Sequence, residues 1–186
     1  RNIINPVKEK LKKEFSKFIF GEDDDNLSSV LIKELIKRKE SLAFAESCTG
    51  GLLSSSITAI SGSSQVFKGS IISYSNELKQ SLLNVPENMI EKYGAVSEEV
   101  AKTMAINAKE KLNADWSIAI SGIAGPSGGS TDKPIGLVHI AIAGPNDQIT
   151  NIKKRFGTTR NRIEIQRLSV NVCLNSLRLI LLSNSK

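Results

Sequence analysis

Short apolar runs that alternate with helix-patterned segments constrain this chain more than any other feature. Leu42–Ala45, Trp116–Ile120 and Leu137–Ala143 have strand length, and Phe67–Tyr74 has the same character. Between them lie segments that read as helices: Leu52–Ile60, ended by Gly62-Ser63-Ser64; Glu77–Leu83; and a turn or short helix from Pro86 towards Lys92. Ser97 followed by Glu98 and Glu99 caps another helix, running to about Leu112. The turn signal Gly144-Pro145-Asn146-Asp147 joins Leu137–Ala143 to Ile149–Phe156 as a hairpin, and a long helix from about Thr159 to Leu182 closes the chain. Alternating strands and helices with one terminal hairpin imply a layered α/β domain with a mixed sheet.

Ahead of this pattern, Val7, Leu11, Phe15 and Phe18 predict an amphipathic helix, broken by Gly21 and the acidic run Glu22–Asp25. One helix flanked by charge cannot bury its own stripe. Residues 1–25 are therefore read as a leader helix and acidic linker, the tail of a longer chain, and residues 26–186 as the domain. Asn26 caps the domain's first helix, whose apolar face is expected to use Val30, Leu31, Leu35 and Ile36.

The 186 residues, 40% hydrophobic and 24% charged, suit one globular domain with a real core. No stretch reads as the roughly 18 uncharged apolar residues of a membrane span, and no signal-peptide pattern opens the chain. A cytoplasmic location is the default expectation. Two cysteines, Cys48 and Cys173, have no zinc spacing, and the single histidine, His139, excludes a two-histidine metal site. Residues 151–186 hold eight Lys/Arg against one acid, so much of the net charge of +6 is local. Such an excess suits a phosphate-bearing ligand or nucleic acid, and equally a solvated basic helix.

Chemistry has few candidate carriers. Ala45-Glu46-Ser47-Cys48-Thr49-Gly50-Gly51 runs from a strand end into a helix, where free N–H groups and the helix dipole face a ligand. Ser47 there is either a nucleophile beside oxyanion donors or a plain helix cap. Cys48 is a rival nucleophile or a small buried residue, and His139, inside an apolar strand, makes no convincing partner for it. A serine without histidine needs another base, and lysine serves when burial lowers its pKa from about 10.4. Lys79, shortly after the Phe67–Tyr74 strand, can lie at the same sheet edge, or be a solvated helix lysine. Ser121–Gly129 is glycine-rich but follows neither phosphate-binding fingerprint. Gly157-Thr158-Thr159-Arg160-Asn161-Arg162 would open the last helix, with a composition that suits phosphate or a solvated cap.

Taken together, Ala45–Gly51, Gly62–Ser64, Tyr74–Lys79, Gly94–Ser97, Ser121–Pro126 with Gly128-Gly129, and Lys133-Pro134 with Gly136 form an ordered pattern across most of residues 27–182. The chain resembles the carboxyl-terminal domain of the CinA family. That resemblance implies a three-layer α/β/α fold with a mixed, mostly parallel sheet. It also implies a serine–lysine amidohydrolase that converts nicotinamide mononucleotide to nicotinate mononucleotide and ammonia, in pyridine nucleotide salvage. By the same resemblance Ser47 is the nucleophile, Lys79 its base and Tyr74 a hydrogen-bonding helper. Thr49, Gly50, Asn76, Ser121, Gly122, Gly125 and Arg160 would then contact substrate. No cofactor and no metal are expected; the expected partners are the mononucleotide and a second copy of the chain, with neither membrane nor nucleic acid. Many relatives carry Gly-Asp-Arg at the last helix start, where this chain has Thr158-Thr159-Arg160, so the arginine carry-over rests on Arg160; Glu164 falls where some relatives carry another arginine. Two other classes compete: an idle nucleotide-binding module of a longer CinA-like protein, and a DNA-binding module. The second is opposed by 5% aromatics and the lack of a recognition motif.

Overall fold

The computed structural model describes residues 3–15 and 17–183. Five strands, β1 (Leu42–Glu46), β2 (Phe67–Ile72), β3 (Trp116–Gly122), β4 (Leu137–Ala143) and β5 (Ile149–Arg155), form one sheet in the order β2-β1-β3-β4-β5. Pairing is parallel for β1 with β2 and β3, and antiparallel for β3 with β4 and β4 with β5. Four of the five strands thus point one way, which is the mixed, mostly parallel sheet expected.

Helices cover both faces. On one lie α2 (Leu27–Arg38), α3 (Leu52–Thr58) and α7 (Arg162–Ser183); on the other lie α4 (Asn76–Leu83), α5 (Glu87–Tyr93) and α6 (Glu98–Lys111). The period-2 alternation of strand side chains sorts them by size. Leu42, Phe44, Ile118, Ile120, Ile140 and Ile142 meet α2, α3 and α7, whereas Ala45, Ala119, Ala141 and Ala143 meet α6. α6 answers with Ala101, Ala105 and Ala108, and approaches so closely that Ser117 Oγ donates to the Ala105 carbonyl at 2.6 Å.

β1 passes through α3 to β2 on one side, and the chain then crosses α4–α6 to β3 on β1's other side. In an open α/β sheet that reversal marks the crevice beyond the carboxyl ends of the strands as the binding region. The ends of β1, β2 and β3, the start of β4 and the start of α7 all gather there.

Boundaries differ locally from the sequence reading. The first helix, α1 (Ile4–Glu14), stops before Phe15, Phe18 is 81% exposed, and α1 buries none of its residues. Asn26 caps α2 as expected, in a reciprocal pair with Ser29, but the buried face uses Ser28, Leu31, Ile32 and Leu35. Ile36 points outward at 37% exposure, because a period of 3.6 aligns Ile32 rather than Ile36 with Leu35 and Leu31. α7 begins at Arg162, three residues later than read. By length and composition α7 could cross a membrane, which the sequence reading had denied of every segment; its Ile165, Val170, Leu174, Leu177 and Leu181 pack in the core.

Candidate active site

β1 ends on Glu46, and the chain turns through Ser47–Gly51 into α3. Ser47 N–H still donates to the Ile120 carbonyl of β3 at 3.1 Å, and Ser73 N–H to the Glu46 carbonyl at 2.9 Å, so the turn leaves a backbone fixed on both sides. Gly50 (φ 59°) and Gly51 (φ 101°) supply the left-handed bend that returns the chain into α3.

Lys79 comes from α4. Ser75 caps that helix by accepting from Leu78 N–H, which sets the helix so that Lys79, one turn in, points back over the strand ends. Its side chain is 1% exposed. Nζ lies 3.1 Å from Ser47 Oγ and is surrounded by three carbonyls, Ser73 at 2.8 Å, Tyr74 at 3.3 Å and Ser75 at 3.5 Å. Among the described residues no carboxylate makes an ion pair with it. Burial pushes the Lys79 pKa down, with Cys48 and then Glu77 pulling the other way. A neutral amine has two N–H donors and one lone pair. The two nearer carbonyls, of Ser73 and Tyr74, can take the donors while the lone pair accepts the Ser47 hydroxyl proton.

Cys48 is also buried, and burial pushes its thiol up to about 12, while the nearby Arg162 pulls only weakly down. The inert reading of Cys48 is the one its surroundings favour. His139 sits 8% exposed on β4, across from Ser121 and Lys153, and burial and Lys153 lower its pKa. Among the described residues no group of three His, Cys, Asp or Glu side chains could hold a metal ion.

The other expected residues divide. Thr49 is buried, its Oγ1 without a hydrogen-bond partner among the described residues, and Gly50 faces open space. Asn76 begins α4 and is exposed. Ser121 Oγ donates to the Ala95 carbonyl at 2.7 Å, tying β3 to the loop before α6. At Gly122 a Cβ would meet Val138 and the Leu137 carbonyl, so the side-chain-free position serves strand contact. Tyr74 lends its carbonyl to Lys79, but its ring is 57% exposed and its hydroxyl accepts from Arg162 at 2.7 Å.

Arg160 does not open α7. It lies in the preceding loop, exposed, and folds back to donate to the Phe156 carbonyl. The helix is capped by Asn161, which accepts from Glu164 N–H at 3.0 Å while its own N–H donates to Glu164 Oε2 at 2.9 Å. Arg162 therefore takes the position expected for Arg160: it donates to the Gly125 carbonyl at 3.0 Å and to Tyr74 Oη. One turn on, Gln166 donates to the Cys48 carbonyl at 2.7 Å. An open groove of about 790 Å³ runs from Pro126 and Ile135 past Thr158, Arg160, Arg162 and Arg167. Sequence reasoning missed Arg162, Gln166 and Glu46. The Asn161-x-x-Glu164 capping spacing could have placed Arg162, and strand parity could have placed Glu46 inside.

Residues 24–181 match the family model described as the CinA C-terminal domain. A CinA-like protein of Prochlorococcus marinus subsp. pastoris strain MED4 is 86% identical over 186 residues, covering all of this chain and 43% of that protein. One from Synechococcus sp. strain RCC307 is 50% identical over 176 residues, covering 95% of this chain and 42% of that protein. The chain thus spans less than half the length of these relatives. Among solved structures, the competence/damage inducible protein CihA from Agrobacterium tumefaciens superposes with a TM-score of 0.81 at 36% identity, covering 88% of this chain and 98% of that one. A CinA superfamily protein from Escherichia coli gives a TM-score of 0.78 at 32% identity, over 88% and 96%.

Proposed function

The chain belongs to the CinA family through that family's C-terminal domain, and from this premise we propose that it hydrolyses the carboxamide of nicotinamide mononucleotide. The observation that carries the reading is the buried Lys79 amine, 3.1 Å from Ser47 Oγ and, among the described residues, with no carboxylate paired to it. A lysine kept only for structure would be expected to carry an ion pair or reach solvent.

In this mechanism Ser47 Oγ attacks the carboxamide carbon while its proton passes to neutral Lys79 Nζ. Ser47, Gly50 and Gly51 N–H groups already have acceptors, which leaves Cys48 and Thr49 N–H to hold the oxyanion. The Lys79 ammonium then protonates the departing nitrogen, and ammonia leaves an ester on Ser47. Water attacks that ester, Lys79 takes the water's proton and returns it to Ser47 Oγ, and nicotinate mononucleotide is released. One water is consumed and one ammonia formed.

The groove lined by Arg160, Arg162 and Arg167 suits the 5′-phosphate, because guanidinium forks match its oxygens. Its volume is in the range of small-ligand sites. The deciding experiment is ammonia release from nicotinamide mononucleotide by the purified chain, alongside Lys79→Arg. Arginine keeps the charge but cannot accept a proton near neutral pH, so activity in that variant would rule out the general-base role.

A further inference from the structure

We propose that Glu46 is a positioning residue for Ser47, its carboxylate holding the Ser47–Gly51 turn by taking up the opening amides of α3. This role presupposes the nucleophile assigned above. Glu46 follows Leu42 and Phe44 on the bulky apolar face of β1 and is 0% exposed. A carboxyl group buried there is costly unless hydrogen-bonded, and among the described residues no cation pairs with it. Oε2 accepts from Gly51 N–H at 3.0 Å and Leu53 N–H at 3.1 Å, and Oε1 from Ser54 N–H at 2.8 Å and from the Ser54 hydroxyl. Four donors and no acceptor describe a carboxylate used to capacity.

The main chain of the same residue is held by β2 through Ser73 N–H, and Ser47 is held by β3 through Ile120. Residues 47–50 therefore form a loop closed at both ends on Glu46, by its backbone at one end and its side chain at the other. Fixing both ends fixes where Ser47 Oγ stands relative to Lys79, which arrives from a different element. The same contacts fill the start of α3, so a substrate phosphate finds no free amides there and is directed to the arginine-lined groove at α7. Glutamine cannot substitute. Either orientation of its amide turns an NH₂ towards N–H donors.

The test compares Glu46→Gln and Ser54→Ala in the full chain. In Glu46→Gln, protection of the Gly51, Leu53 and Ser54 amides in NMR-detected exchange should fall by about tenfold or more relative to the Ile118–Ile120 amides, as donors lose their acceptor. kcat for nicotinamide mononucleotide should fall by about a hundredfold, the scale of a misplaced reacting atom, with KM within about twofold. The apparent pKa of the pH–rate profile should stay where it was, because Lys79 is untouched. Ser54→Ala, which removes one donor, should lie between. A lower melting temperature with kcat per folded molecule unchanged would overturn the proposal, as would exchange that rises evenly across the sheet. A wild-type chain inactive on the mononucleotide would remove the deamidase reading instead, and the local exchange comparison would still decide whether Glu46 holds the turn.

Discussion

Helices α3 and α7 begin at the same end of the sheet and each meets a glutamate at its opening turn, yet the two starts do different things. At α3 the carboxylate of Glu46 comes from the preceding strand, is fully buried and accepts four hydrogen bonds. At α7 the carboxylate of Glu164 comes from the helix itself, is exposed, and closes a reciprocal cap with Asn161. An anion at a helix start is favourable in both places. Burial decides the rest: the first carboxylate cannot leave without stranding its donors, whereas the second can be exchanged with water. The α3 start is thus fixed in place, as the proposed nucleophile requires, and the α7 start is open to exchange with the proposed phosphate.

The contrast can be broken at four points. Ser47→Ala should lower turnover by at least about a thousandfold, the scale of a lost covalent nucleophile, and Cys48→Ala should cost far less. The reverse ranking in steady-state assays would move the chemistry off Ser47.

Lys79→Ala and Lys79→Arg should be almost equally inactive. In the wild type, kcat should rise with pH to a plateau, with an apparent pKa below 10.5, since burial lowers the Lys79 value. Stability has its own sign. Between the lowered folded-state pKa and the unfolded value of 10.5 the unfolded chain binds more protons, so stability rises with pH across that window. Chemical denaturation of wild type and Lys79→Met, followed from neutral pH to pH 10, should show that rise in the wild type only.

Arg162→Ala should weaken the mononucleotide about 10- to 100-fold, as expected for losing charge-assisted hydrogen bonds, and should also loosen Tyr74. Arg160→Ala should do less, because its guanidinium is turned to the Phe156 carbonyl. Competition binding with the mononucleotide and its unphosphorylated riboside measures this, and equal effects of the two variants would erase the distinction.

Glu164→Gln keeps the cap but removes the charge. KM for the mononucleotide should fall about two- to fivefold, the size of an exposed charge effect at a helix end, while KM for the riboside stays put. A change of the same size for both would mean that the α7 start does not face the phosphate.

How far the sequence revealed these regions varies with the range of the forces involved. Strand length and polarity placed β1, β3 and β4 to within two residues, because local pattern decides a buried strand. The Ser47–Lys79 pair is a contact between residues far apart in sequence. The residues alone leave Lys79 either at the same sheet edge or as a solvated helix lysine, and the resemblance supplies the pairing. The α7 start was misplaced because Gly157-Thr158-Thr159 has the composition of a cap, whereas Asn161 and Glu164 have the reciprocal geometry. Glu46 was passed over because an acid at a strand end reads as solvated, and only the return of Gly51–Ser54 to its oxygens makes a buried position tenable.

The alanine side of the sheet sets a dimension of the whole molecule. Where α6 rests on Ala45, Ala119 and Ala141, the strand side of the seam is made of methyl groups, met by Val100, Met104 and the alanines of α6. A single added branch at Ala119 has to be taken up by Met104 and Val100 of α6 or by a shift of the helix itself. That helix is capped by Ser97, two residues after the carbonyl that Ser121 holds. A valine at Ala119 would act as a shim, and any displacement of α6 would reach the crevice through the Ser121–Ala95 tie. Drift in such an alanine-lined seam reshapes a pocket without altering any residue that lines it.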